Sequence, residues 1–295
     1  MDWIVGYYLT VELRKNCRLV LLSFLFVSFC HASTEQTEKT IRIGVTPVFL
    51  NYQTSMLGDW KLYLQERLGR PVQFVQRTTY KEITDLILQD KIEFAWICGY
   101  PYLQYQNSLQ LLAVPLYHGR PVYQSYLIVH ASDQTTTSIA QLQNKIFAYS
   151  DPDSNSGYLV PQYQIQRLGA DRSDFFRRSF FTWAHEKVVE AVAMGVAQGG
   201  AVDGYVWDTL AMFNPEVTRH TRVAQKSQEF GFPPFVASNN VSEEDFYAIQ
   251  NVLLQMNTDS KGIQLLQRLN LDGFSIQDRS LFDGIAAMKE VVEQK

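Results

Sequence analysis

One order of elements runs twice through this chain. The first copy reads I-E-F-A-W-I-C-G-Y-P-Y at 92–102, L-Q-L-L-A-V-P-L at 109–116 and P-V-Y-Q-S-Y-L-I-V-H-A-S at 121–132. The second reads G-G-A-V-D-G-Y-V-W-D at 199–208, T-R-V-A-Q-K-S at 221–227 and F-P-P-F-V-A-S at 232–238. Each is a strand, a short helix, a strand and a Pro-marked extended run. Identity between the copies is low; the order of elements is what matches. Such a chain folds as two similar α/β lobes with central mixed sheets. Two extended crossings join them, placed near Arg120–Tyr126 and Glu229–Phe235.

Local signals fill in the rest. Ile41–Val45, Val72–Val75 and Ile92–Cys98 read as buried strands. Trp60–Leu68 reads as a helix stopped by Gly69 and Pro71. Thr79-Tyr80-Lys81-Glu82 fits a capping box and opens a helix to about Gln89. The pattern then recurs. Ile146–Tyr149 is a strand and Tyr158–Leu168 a helix. Phe180–Trp183 is a strand, Glu186–Met194 a helix and Gly200–Val206 a strand, with Asp208–Phe213 helical. Strands alternating with helices imply parallel pairing under right-handed crossovers. Glu243–Gln255, Lys261–Leu269 and Arg279–Val292 are three closing helices, expected to pack mainly on the first lobe.

The N-terminus reads as an address. Arg14, Lys15 and Arg18 precede the uncharged run Leu19–Phe29, and small residues flank a cut after Ala32. Eleven residues rise only about 16 Å as a helix, too short to span a bilayer. A charged segment, a short apolar run and a small-residue cleavage site make a secretory signal. We therefore divide the chain into a leader over 1–32, lobe 1 over 33–122, lobe 2 over 123–230 and a return to lobe 1 over 231–295. Location in the periplasm follows. The leader would remove Cys17 and Cys30, leaving Cys98 with no intramolecular partner. In an oxidising space the fold would then rest on its core and not on disulfides.

Charge excludes some functions. The chain carries 26 Lys plus Arg against 30 Asp plus Glu, a net −4. Residues 33–295 carry 23 against 28, or −5. With no basic block, nucleic acid is a poor partner. Five His, none at H-E-x-x-H spacing, and no C-x-x-C argue against zinc. No metal or cofactor is expected.

Two α/β lobes leave a cleft, and ligands in open α/β sheets bind beyond the carboxyl ends of strands. The candidates are Thr46, Cys98–Tyr102, Ser150–Gly157, Trp183–His185 and Asp203–Trp207. Ser154, Asn155 and Ser156 bring short polar side chains to a helix start, and Gly157 allows close backbone approach. Free N–H groups and the positive helix end suit an anion; the alternative is simple capping. His185 opens another helix and can donate to an anionic oxygen. Asp203 follows a buried strand. In the cleft it favours a ligand that carries a proton; the alternative is again a helix cap. Tyr80 and the Tyr pair Tyr100 and Tyr102 offer flat walls with hydroxyl donors. Cys98 reads as a small buried residue, not a nucleophile.

At these residues the chain resembles the phosphate/phosphite/phosphonate-binding family of ABC-transporter solute-binding proteins. The resemblance rests on D-P-D-S-N-S-G-Y-L-V-P at 151–161, on His185 before V-V-E-A-V-A-M-G, and on A-V-D-G-Y-V-W-D at 201–208. W-K-L-Y-L-Q-E-R-L-G at 60–69 and I-E-F-A-W-I-C-G-Y-P-Y add to it. It implies a type II periplasmic binding protein fold that closes around its ligand. It implies that Ser154, Asn155 and Ser156 hold the anion's oxygens, that His185 donates to the same oxyanion, and that Tyr80, Tyr100 or Tyr102 line the first-lobe wall. Asp203 would stand at the other end of the pocket. The partners implied are a small anion and a membrane permease, with the protein itself a monomer. The departures are Ala184 where a small polar residue is common, Gln198 in place of Asp, and G-Y-P-Y for G-P-x-x-Y. They leave the ligand open between phosphonate, phosphite and phosphate. Two other readings stand beside this one. One is a sensing module of the same fold. The other is an exported hydrolase using Ser154 or Ser156 with His185 and Asp203, although no G-x-S-x-G elbow appears.

Overall fold

The computed structural model describes residues 39–47 and 54–294. The proposed leader lies outside them. The first half of the chain supplies β1 (Ile41–Val45), α1 (Thr54–Leu68), β2 (Val72–Gln76), α2 (Tyr80–Leu88), β3 (Phe94–Trp96), α3 (Gly99–Gln104) and β4 (Leu109–Leu116). Then come β5 (Val122–His130), β6 (Ile146–Tyr149), α4 (Val160–Arg167), β7 (Arg178–Phe181), α5 (His185–Ala193), β8 (Gly199–Asp203), α6 (Gly204–Phe213), α7 (Pro215–Thr218) and β9 (Thr221–Gly231). The chain closes with β10 (Phe235–Ser238), α8 (Glu243–Leu254), α9 (Ser260–Leu269), β11 (Gly273–Ser275) and α10 (Asp283–Glu293).

Two sheets result, ordered β11-β4-β10-β3-β1-β2 and β7-β6-β8-β5-β9. The second reproduces the first when β6, β7, β8, β9 and β5 stand for β1, β2, β3, β4 and β10. The pairing senses also agree. β1 is parallel to β2 and β3, as β6 is to β7 and β8. β10 is antiparallel to β3 and β4, as β5 is to β8 and β9. Only β11 is extra, antiparallel to β4. Each sheet therefore takes the strand that follows a crossing from the other. The crossings run side by side: the Phe232 N–H donates to the Pro121 carbonyl at 2.9 Å, and Arg120 pairs with Glu229. The doubled order legible in the sequence is the topology.

Elements form for local reasons. In α2 the capping box is complete, with Thr79 and Glu82 each accepting from the other's backbone, and Tyr80, Ile83, Thr84 and Ile87 make the buried stripe. Residues of β3 are buried without alternation, as in a strand covered on both faces. In the first lobe Trp60 is fully buried, its ring 5.3 Å from Phe74, 5.8 Å from Phe235 and 6.1 Å from Trp96.

Several boundaries differ from the sequence reading. α1 starts at Thr54, not Trp60, and its buried stripe runs Met56, Leu57, Trp60, Tyr63, Leu64, leaving Leu62 exposed. Gly58 and Asp59, poor helix formers, hid its first turns. β8 stops at Asp203, whose carboxylate accepts the Tyr205 N–H at 2.9 Å and starts α6 four residues early. β7 ends with its partner strand, at Phe181 opposite Tyr149. Of the closing helices, α8 and α9 pack on the first lobe: Gln250 donates to the Leu112 carbonyl, and Arg67 pairs with Asp259 at the N-cap of α9. α10 instead spans both lobes. Phe282, just before it, packs on Tyr102 at 5.0 Å, while Gln166 of α4 donates to the Val291 carbonyl at 2.6 Å.

Candidate functional site

The loop after β6 holds the most unusual backbone. Ser154 is followed by a π turn, Asn155–Leu159, in which the Leu159 N–H reaches the Ser154 carbonyl at 3.0 Å. Single π turns are frequent at functional sites. Ser154 does cap this turn, its Oγ accepting the Gly157 N–H at 3.0 Å. Capping leaves the neighbouring oxygens unused. Ser150 Oγ, Asn155 Oδ1 and Ser156 Oγ are buried and have no hydrogen-bond partner among the described residues. Buried polar atoms are normally paired, so three together mark a place for something else.

Gly157 makes this packing possible. A Cβ there would lie 1.9 Å from Ser150 Oγ and 3.1 Å from His185 Cε1. His185 is 1% exposed. Its Nδ1 sits 3.1 Å from the Asp203 backbone N–H, which can only donate, so Nδ1 accepts and Nε2 carries the proton. Nε2 lies 3.5 Å from Ser154 Oγ. Burial pulls the imidazole pKa down to about 3, so this is a neutral donor. Asp203 is 2% exposed. Burial pushes its carboxyl up to about 8, against the lowering effect of the Val206 and Tyr205 N–H groups. Below that pH it holds its proton and is a second donor.

The opposing wall comes from the first lobe and a crossing strand. Tyr80 is 1% exposed, and its phenol is held well above the ordinary value by burial first, then by the charges of Cys98, Asp151 and Asp203. Cys98 Sγ accepts the Asn155 N–H at 3.3 Å, and burial pushes its thiol up to about 11. Tyr123 on β5 takes the Asn155 Nδ2–H at 2.9 Å and also lies within reach of the Asp203 charge. Two expected wall residues face elsewhere. Tyr102 packs on Phe282 beside Arg279, and Tyr100 is half-buried beside Gln104 and the Glu293 and Lys289 charges of α10. Both turn towards the C-terminal helix because that helix crosses α3, which the sequence reading did not foresee.

Ser154, Asn155, Ser156, Gly157, His185, Asp203 and Tyr80 are thus brought together, with Ser150, Cys98 and Tyr123 added. Ser150 fell within the strand-end range but was not singled out. Tyr123 lies within the first crossing, Arg120–Tyr126, and a crossing is the floor of a cleft, which is the usable signal. Among the described residues no Lys or Arg is hydrogen-bonded or paired to any of these ten. No group of three His, Cys, Asp or Glu that could hold a metal occurs among the described residues either.

Two α/β lobes meeting over a buried ring of polar groups with no paired Lys or Arg are the construction of a solute-binding protein. The family model for the phosphonate periplasmic substrate-binding protein of ABC transporters matches residues 43–282, and the chain belongs to that family. It is 24% identical over 266 residues to the phosphonates-binding periplasmic protein of Escherichia coli, covering 85% of this chain and 78% of that one. A binding-protein component of a phosphonate ABC transporter from Pseudomonas aeruginosa superposes with a TM-score of 0.80 at 22% identity, covering 87% of each chain. The PhnD1 protein of Prochlorococcus marinus, solved with methylphosphonate, superposes with a TM-score of 0.79 at 17% identity. It covers 87% of this chain and 99% of that one. These likenesses establish the type II periplasmic binding protein fold.

Proposed function

We propose that the protein is the exported receptor of an ABC importer and closes around a small phosphonate- or phosphite-like anion. The observation that carries this reading is the pair of unpartnered buried hydroxyls of Ser150 and Ser156, set beside the His185 Nε2–H, while the free Asn155 Oδ1 can only accept and suits a protonated ligand oxygen. Hydroxyls and a neutral imidazole donate to oxyanion oxygens without a formal positive charge. The lobes, taken as 33–122 with 231–295 against 123–230, would turn about the paired crossings. Contacts from both lobes then exist only in the closed state, so ligand shifts the population towards it. The leader over 1–32, a permease partner and a monomeric state belong to the same reading.

Hydrolysis fits less well. A triad His needs its Nδ1–H on a carboxylate and a free Nε2 facing the nucleophile. Here Nδ1 accepts from the Asp203 backbone, so Nε2 faces Ser154 already protonated. An imidazole with a pKa near 3 is also a weak base. Turnover of a phosphoester by the purified protein, lost on His185→Ala, would overturn this.

The ligand class is tested by thermal unfolding against methylphosphonate, 2-aminoethylphosphonate, phosphite, phosphate and methanesulfonate. A bound ligand at a hundred times its Kd stabilises by about 2.7 kcal/mol. No shift with any of them removes the class. Ser156→Ala and His185→Ala are each expected to weaken the best ligand by about 1–3 kcal/mol, as for a lost hydrogen bond to a charged group. Unchanged affinity in both, by calorimetry, means the anion sits elsewhere.

A further inference from the structure

We propose that Asp151 is a latch between the lobes that sets how far the cleft is closed before any ligand arrives. Asp151 lies in the second lobe, at the start of the loop that carries the unpartnered oxygens, and is 1% exposed. One carboxylate oxygen accepts the Asp153 N–H within its own loop at 2.8 Å. The other accepts the Tyr80 N–H at 3.1 Å, and Tyr80 is the first residue of α2 in the first lobe. That N–H is one of the donors a helix start leaves unpaired, at its positive end. α2 does not need Asp151 for its own capping, because Thr79 and Glu82 already complete the box. The contact therefore pairs a helix-start donor that the box leaves open, and it does so across the lobes.

A second bond from the same loop points the same way. The Asn155 N–H meets Cys98 Sγ of the first lobe at 3.3 Å. Both bonds involve protein groups alone, so both favour closure in an empty cleft. Apparent affinity scales with the fraction of molecules already in the binding-competent state. Asp151 is then a positioning residue: it strengthens every ligand by one common factor and selects among none.

The inference rests on the reading that the lobes close around a ligand, and the first experiment is done without one. Cys98 is buried in the closed form and reports opening. Alkylation of the full chain, followed at the Cys98 peptide by mass spectrometry, is expected to run about tenfold faster or more in Asp151→Asn than in the parent. Small-angle scattering of the same ligand-free samples is expected to show a larger radius of gyration. Calorimetry with methylphosphonate and phosphite should then show both affinities falling by one factor, to within about twofold. Unchanged alkylation and radius would overturn the latch. So would a loss confined to one ligand, since Asp151 would then be touching it. If Asp151→Asn does not fold, Tyr80→Pro removes the N–H at a helix position that accepts proline, with Tyr80→Ala as the control for the lost ring. Faster alkylation in Tyr80→Pro than in Tyr80→Ala supports the latch, and equal rates remove it. Failure of the ligand panel with a positive alkylation result would sink the ligand class and leave the latch standing.

Discussion

Gly157→Ala is expected to abolish measurable anion binding and to lower the stability of the empty protein by about 1–3 kcal/mol, the usual range for overpacking. A Cβ at 157 would stand 1.9 Å from Ser150 Oγ and 2.7 Å from Ser150 Cβ. Rotation of the hydroxyl relieves the first clash but not the second. Ser150 is itself fully buried at the end of β6, where its carbonyl takes the Trp183 N–H at 2.7 Å. Movement there drags the segment that leads into His185, whose Cε1 is a further 3.1 Å neighbour. The cost thus falls on the cradle and the imidazole at once. Thermal unfolding measures the first effect and calorimetry with methylphosphonate the second. The double variant Gly157→Ala with Ser150→Gly removes the clashing atoms and is expected to recover most of the stability, because residues in contact couple strongly. Wild-type affinity in Gly157→Ala, or no coupling in the double variant, would show that the loop is slacker than its geometry says.

That loop was the most legible part of the site. A strand, the three short polar residues 154–156, a glycine and a helix make the loop a candidate cradle from sequence, and the capping box at Thr79 fixed the start of α2 to the residue. The lobes were legible for a different reason: order of elements survives when side chains diverge, so the repeat showed two similar lobes, although not the strand each sheet takes from the other. What stayed hidden depended on packing between distant segments. The π turn at 155–159 needs an i→i+5 bond that no periodicity announces. Tyr80, Tyr100, Tyr102 and Tyr123 are the same residue type near strand ends or a crossing. Tyr100 and Tyr102 are drawn away from the cleft by α10 and the turn before it, and α10 reaches both lobes through contacts such as the Gln166 side chain on the Val291 carbonyl. Capping was legible as an alternative, but that Ser154 caps while Ser156 stays free is likewise set by packing.

Affinity is expected to fall about tenfold per pH unit once the pH exceeds both the Asp203 ionisation near 8 and the last ionisation of the ligand. The sign follows from the donor count. Below about 8 the buried carboxyl keeps its proton and offers an O–H to the anion. Above it the empty site holds a carboxylate next to the cradle, and no Lys or Arg among the described residues bonds to it to offset the charge. A complex that needs one shared proton must then take that proton from solvent. Two pH units cost about a hundredfold, or about 2.7 kcal/mol at 1.36 kcal/mol per unit. His185 does not share this behaviour: it is already neutral above about 3, so its donor is constant through the range. Asp203→Asn separates the two. It keeps a side-chain acceptor for the Tyr205 N–H that starts α6 and presents an amide donor that cannot ionise, so its alkaline fall should vanish. Calorimetry with methylphosphonate from pH 6 to about pH 10, in buffers of different ionisation enthalpy, also counts the protons taken up. Parallel profiles for the two proteins, or no proton uptake by the parent above pH 8, would place Asp203 outside the anion's reach and leave it only the helix cap.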